Sequence, residues 1–296
     1  MYDQKITRQN PALIIFLIDQ SSSMSDLMFT SSGSGFSMAK IAKYICDKCL
    51  YEAFRTCNAG NEVRPYIDLA IIGYGTSIRS AMPKIGLDEL PFSVTKLSET
   101  WIKKNDSTPS DNEFESPRYE WVEEVSKGNT PMLEALTKTK KIIEKWTSSH
   151  HNSFPPIVIN ITDGMPTDDI ALLSRYETGS LGDITTLDVF SLSKQIQKLG
   201  TNNGNVLFCN AHISSARLAQ ILYPLSTKNI DDPFAELMFE LSSTIPNELI
   251  PLGNEIGLPI VSGSKFFIYN ADVNSLLNFV SFGTTGTINK RLGNPT

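Results

Sequence analysis

The sequence predicts an α/β fold: an open, mostly parallel, doubly wound sheet with helices on both faces. Three observations predict it. Five apolar, β-branched runs, "ALIIFLID", "YIDLAIIGYG", "PIVINITDG", "NVLFCNAHI" and "KFFIYNA", are continuous rather than alternating, as strands buried on both faces are. Amphipathic helical stretches lie between them. The two alternate along nearly the whole chain, the order that builds a Rossmann-like sheet.

The elements follow in order. The first strand ends at the carboxylate of Asp19. From Met38 to Phe54, the residues Met38, Ile41, Ala42, Ile45, Cys46, Cys49, Ala53 and Phe54 form one helical stripe. After the second strand, a polar stretch from Lys84 to Lys127 interrupts the rhythm. It contains "KKNDSTPSDNEFESP" and reads as a surface excursion where specificity would reside. "TPMLEALTKTKKIIEKW" is a helix with Pro131 near its start, where a missing N–H costs nothing. "LDVFSLSKQIQKLG" is another, with Gly200 expected as its C-cap. "DPFAELMFELSS" and "DVNSLLNFVSF" complete the helices, with "STIPNELIPLGNEIGLP" as a second embellishment. A single domain over residues 11–283 follows. The tail 284–296, "TTGTINKRLGNPT", has too little apolar surface to offset its ordering entropy, and is expected to order only against a partner or second copy.

Composition narrows the function classes. The 296 residues carry a net charge of -6 with lysines and arginines scattered, which argues against a nucleic-acid partner. The first apolar run is too short for a membrane span and lacks a small-residue cleavage site, and four cysteines do not make a disulfide framework. The expectation is a cytoplasmic protein without a membrane partner.

Function is read from oxygens. In "LIIFLIDQSSSMSD" the side chains of Asp19, Ser21 and Ser23 fall at alternate positions just beyond a strand end, where ligands bind in open α/β sheets. Asp163 closes the strand "IVINITD" in the same way, and Thr130 sits in "KGNTPM" on a glycine-containing loop before a helix. Two carboxylates and three hydroxyls, without His or Cys, suit a hard divalent cation, Mg²⁺ first and Mn²⁺ or Ca²⁺ as alternatives. Against this, Asp19 could cap the helix starting near Ser37. Other motifs reduce to packing: Cys46-x-x-Cys49 lies on the apolar stripe, His150 and His151 end a helix, and His212 ends a strand. "SSGSGFSMAK" lacks the third glycine of a dinucleotide loop and any Gly-Lys-Ser/Thr.

"DQSSS", "GNTP" and "TDG", in this order and on these elements, resemble the metal-ion-dependent adhesion site of a von Willebrand factor A domain, over about Pro11 to Gly283. "TDGMPTDD" and "DDPFAELMFELSS" are similar to the bacterial intracellular branch that includes the tellurium-resistance protein TerY. The resemblance implies that Ser21, Ser23 and Thr130 touch the metal and that Asp19 and Asp163 hold it directly or through water. Ser22 departs from the glycine that many members carry. The resemblance also implies a non-enzymatic adaptor whose protein partner supplies an Asp or Glu to the metal. Companions would be a protein kinase and a PP2C-type phosphatase in a stress-response or phage-defence system. The alternatives are a scaffold or oligomerising subunit with a purely structural metal, and a cell-surface adhesin, which would need a signal or anchor. Enzymes fit less well. Ser21 stands where aspartyl phosphotransfer wants a second acid, and neither a Gly-x-Ser-x-Gly elbow nor a Ser-His-Asp set is evident.

Overall fold

Eight strands build one sheet in the computed structural model, which describes residues 1–29, 33–60, 62–104, 118–176, 181–214 and 219–283. In chain order they are β1 (Ala12–Asp19), β2 (Ile67–Tyr74), β3 (Ile78–Ser80), β4 (Phe92–Ser93), β5 (Ile157–Thr162), β6 (Leu207–His212), β7 (Ile221–Leu222) and β8 (Phe267–Tyr269). In space the order is β7-β8-β6-β5-β1-β2-β3, with β4 pairing off β2. Strands β1, β2, β5, β6 and β8 run parallel, and the short β3, β4 and β7 are antiparallel additions. Every residue of β1, β5 and β6 is buried, the physical reason their sequences are runs rather than alternations.

The principal helices are α1 (Met38–Cys57), α2 (Met132–Thr147), α3 (Ile170–Tyr176), α4 (Asp188–Lys198), α5 (Pro233–Leu241), α6 (Ile250–Glu255) and α7 (Val273–Ser281). One face of the sheet carries α1 against α7; the other carries α2, α4 and α5 in succession. Ser37 caps α1 by accepting from the Lys40 amide at 3.1 Å, so Asp19 is not needed for that task. The expected C-cap at Gly200 is corrected. Leu199, in extended conformation, ends α4, and Gly200 opens the hairpin Gly200–Thr201/Gly204–Asn205.

The excursion over residues 84–127 is only partly surface. Ile85, Leu90, Phe92, Val94, Leu97, Trp121 and Val122 are all buried, and β4 joins the sheet within it. Asp47 on α1 anchors its return. One carboxylate oxygen accepts from the amides of Trp121 (2.7 Å) and Val122 (2.9 Å), and the other from Lys43, which also reaches Glu120. Burial pushes the Asp47 carboxyl up to about 6 in spite of these donors. The stretch Asp106–Ser116 and the tail 284–296 lie outside the described residues. Cys46, Cys49, Cys57 and Cys209 are buried and outside any disulfide, and His150 stacks on Trp146 at 4.4 Å, both packing roles. Among the described residues, no helix is long and apolar enough to cross a membrane.

Candidate metal centre

Strand β1 lies at the point where the strand order reverses: β2 follows on one side, while β5, β6 and β8 follow on the other. The crevice beyond the carboxyl ends of β1 and β5 is therefore where an open sheet of this kind binds ligands. Asp19 ends β1 and Asp163 follows the last residue of β5, so topology alone brings the two acids together.

The side chains form a connected cluster. Asp19 is fully buried; its Oδ1 accepts from the Ser21 amide at 2.9 Å and its Oδ2 from the Thr162 hydroxyl at 2.6 Å. Ser21 Oγ lies 3.0 Å from Ser23 Oγ, and Ser23 Oγ donates to Asp163 Oδ1 at 3.0 Å. Ser23 is exposed and Asp163 half-buried, so the cluster has a buried acid behind and oxygens open to solvent in front.

Two loops hold it in place. Ser22 clamps the first loop to the second: its amide donates to the Gly128 carbonyl at 3.0 Å and its hydroxyl accepts from the Gly128 amide at 3.0 Å. Gly128 adopts φ +95°, and a Cβ there would sit 2.5 Å from the Thr76 amide nitrogen, so only glycine fits. The loop after β5 does the rest. Thr167 accepts from the Thr130 amide at 2.9 Å and returns its own amide to the Thr130 carbonyl. Asp168 accepts from the amides of Leu133 (3.0 Å) and Glu134 (2.8 Å), capping α2, whose N-terminal Pro131 supplies no cap of its own. Thr130 is buried, and its hydroxyl makes no hydrogen bond among the described residues. Asp168→Ala should lower the unfolding free energy by about 1–2 kcal/mol, the cost of a lost helix cap, in a urea titration. No change would show that Asp168 is dispensable to α2.

Electrostatics favours a cation. Burial, then the Asp163 charge, push Asp19 up to about 7, while its bonds from Ser21 and Thr162 only partly oppose them. Burial also raises Asp163, with Ser23 partly offsetting it and Asp26 adding to the rise. No basic side chain among the described residues figures in either acid's environment. Two repelling carboxylates with no side-chain counter-charge are chemically suited to a divalent ion.

The donor set is all oxygen, carboxylate and hydroxyl, which suits a hard divalent cation. Ser21, Ser23 and Asp163 stand side by side at hydrogen-bonding spacings of 3.0 Å. Among the described residues no group of three or more His, Cys, Asp or Glu side chains is placed to hold a metal, so any site here is built on hydroxyls.

Asp19, Ser21, Ser23 and Asp163, all named by the sequence, thus share one cluster, and Thr130 is held on the loop that Ser22 ties to it. Sequence reasoning missed Thr162, which binds Asp19, and the supporting roles of Ser22, Thr167 and Asp168. The signal for the last two was their place in "TDGMPTDD", where each polar side chain has a structural task. His212 sits in register beside Thr162, buried as packing predicts, with neither ring nitrogen hydrogen-bonded.

The fold and site together define an α/β protein with an open, mostly parallel sheet and an oxygen-lined crevice at its point of strand reversal. No family model matches the chain, and no curated protein matches it. It is similar to several solved structures. One is the vWF domain of the type V pili tip protein Mfa5 from Porphyromonas gingivalis, at 10% identity over 97% of this chain and 99% of that one, TM-score 0.46. Another is the conserved hypothetical protein BatB from Bacteroides thetaiotaomicron, at 13% identity over 75% and 74%, TM-score 0.36. A structure of three N-terminal domains of Mfa5 also matches, at 13% identity and TM-score 0.28, over 52% of this chain but only 20% of that one. At such identities and scores, function has to be argued from the site's own atoms.

Proposed function

We propose that the chain is a non-enzymatic, Mg²⁺-dependent protein-binding module of the von Willebrand A type. The observation that carries this is the arc Ser21 Oγ, Ser23 Oγ and Asp163 Oδ1 at 3.0 Å spacings, backed by buried Asp19. Asp163, Ser21, Ser23 and Thr130 would hold the ion, with Asp19 behind them directly or through water. The ion supplies a positive centre that two carboxylates and neutral hydroxyls leave short of oxygen ligands, and a partner's Asp or Glu is a hard anionic donor for it. The chain's own residues do the rest: Thr162 and the Ser21 amide orient Asp19, Ser22 locks the loops, and Thr167 holds Thr130 at the rim. The partner we propose is a protein of a bacterial intracellular complex that includes a kinase and a PP2C-type phosphatase.

The experiment is calorimetric titration of Mg²⁺, followed by pull-down from the native host with and without chelator. Thr130→Val should weaken partner capture about tenfold and leave the melting temperature nearly unchanged, since at this buried position the hydroxyl alone is exchanged for a methyl of similar size. Mg²⁺ uptake with chelator-insensitive capture would favour the one competing account, a structural ion, which the cluster's internal hydrogen bonds also suit. No Mg²⁺ uptake at all would end the proposal.

A further inference from the structure

Between Asp19 and Ser21 stands a glutamine that is only 2% exposed. Asp19 Oδ1 accepts from the Ser21 amide at 2.9 Å, which closes a turn with Gln20 as its middle residue. The Gln20 side chain lies over Gly73 of β2, which has no Cβ to displace it. Its Oε1 accepts from Arg79 Nε on β3 at 3.0 Å, and its Nε2 makes a long bond of 3.5 Å to the Glu123 carbonyl. Arg79 Nη1 in turn donates to the Glu123 carboxylate at 2.7 Å. The main chain is also held on both sides. The Gln20 amide donates to the Tyr74 carbonyl at 2.7 Å, and the Gln20 carbonyl accepts from the Lys127 amide at 2.6 Å.

These bonds have one direction. A guanidinium only donates and a backbone carbonyl only accepts, so the Gln20 amide has a single orientation. Leucine at this position would leave Arg79 Nε unpartnered, and glutamate would set a carboxylate oxygen against the Glu123 carbonyl. Stability does not account for Arg79. Its ion pair with Glu123 joins side chains that are 36% and 47% exposed, where such pairs contribute little. Its Nη2 is buried with no hydrogen-bond partner among the described residues, which is unfavourable. What Arg79 achieves is to hold Gln20, and with it the turn from Asp19 to Ser21, at one place on the sheet.

We propose that Gln20 and Arg79 are positioning residues for the metal centre. Arg79 pins the Gln20 amide against β2, and the backbone on either side of Gln20 then sets where Asp19 Oδ1 and Ser21 Oγ stand. Neither side chain belongs to the Ser21–Ser23–Asp163 arc, so the effect passes through the turn. The inference rests on the Mg²⁺ reading of the cluster. Mg²⁺ demands a near-ideal octahedron at about 2.0–2.1 Å, whereas Ca²⁺ accepts flexible arrangements at about 2.3–2.6 Å. A turn held less firmly therefore harms Mg²⁺ binding more than Ca²⁺ binding.

The test titrates Mg²⁺ and Ca²⁺ calorimetrically into the full chain, comparing wild type, Gln20→Met, Arg79→Lys and Arg79→Met, each with a thermal unfolding scan. Gln20→Met keeps the length of the side chain and should weaken Mg²⁺ about 10–100-fold, the usual scale for a group that orients a metal ligand. The preference for Mg²⁺ over Ca²⁺ should narrow with it. Arg79→Lys keeps the charge but not the planar fork, and should weaken Mg²⁺ severalfold. Arg79→Met should weaken it too, although Coulomb's law alone would have the loss of a positive charge tighten a cation. If Gln20→Met does not fold, the two Arg79 variants decide. Variants that bind Mg²⁺ within about twofold of wild type, whatever their melting temperatures, overturn the proposal. So does an equal loss of Mg²⁺ and Ca²⁺, or tighter Mg²⁺ binding by Arg79→Met. A wild type that takes up no Mg²⁺ sinks the functional reading and the positioning role together; a wild type that binds beside unaffected variants sinks the positioning role alone.

Discussion

Asp19→Asn should abolish Mg²⁺ uptake and partner capture while making the metal-free protein more stable at pH 7.5. The two effects share one cause. Asp19 is wholly buried near a second acid, and its carboxyl is held at about 7 against an ordinary 3.8. At neutral pH and above, folding must hold a charge that the unfolded chain carries freely, and roughly three pKa units correspond to about 4 kcal/mol against folding. An asparagine keeps the shape and an acceptor for the Ser21 amide, and Thr162 can turn its hydroxyl to donate elsewhere. Part of the penalty is therefore recovered, an expected gain of about 2–4 kcal/mol in urea unfolding. Asp163→Ala should also lose Mg²⁺, with a smaller gain because Asp163 is only half-buried. If Asp19→Asn binds Mg²⁺ and partner like wild type, the row of oxygens is a loop-bracing cluster and the proposed function is wrong.

The fold was legible because burial on both faces leaves a coarse mark: β1, β5 and β6 must be apolar throughout, and the amphipathic stripes of α1 and α2 must alternate with them. Four of the five proposed ligands were legible as a cluster for the same topological reason, since strand ends at a reversal point converge whatever the loops contain. What could not be read lies across the chain. Thr162 looks like one more β-branched strand residue until β5 sets it beside Asp19, and Asn160 and Asn210 look like blemishes in apolar runs until register pairs them. Ser22 stood out only as a departure from glycine; its hydroxyl in fact replaces freedom with a clamp on Gly128. Gln20 is similar. Its side chain folds back over Gly73, where a Cβ would sit 2.2 Å from its Oε1, and takes a bond from Arg79 at 3.0 Å. The polar excursion misled because its apolar anchors, Phe92, Leu97 and Trp121, are spaced too irregularly to show a period.

Mg²⁺ affinity should fall about tenfold per pH unit below pH 7 and level off above it, as a single proton displaced from Asp19 requires. The stability of the metal-free protein gives the same information with its sign exposed. A carboxyl whose folded value is raised favours folding fully below its unfolded value of 3.8, and that contribution is lost as pH rises through about 7. Asp47, held at about 6, acts in the same direction between about pH 4 and 6. His212 opposes both. Burial lowers it to about 4 from an ordinary 6.5, with Asp232 only partly compensating, so stability is lost as pH falls through that window. Two carboxyls against one imidazole leave wild-type stability falling by about 1.4 kcal/mol per pH unit between pH 4 and 6, so the difference between Asp19→Asn and wild type is what isolates Asp19. In urea unfolding without metal, that difference should be near zero at pH 4 and grow with pH to its full value of about 2–4 kcal/mol just above pH 7. Saturating Mg²⁺ should stabilise wild type at pH 8, where both acids are ionised, and leave Asp19→Asn unchanged. A difference that is constant from pH 4 to 8, or Mg²⁺ affinity equal at pH 6 and 8, would mean that Asp19 does not titrate near 7 and does not bear on the ion.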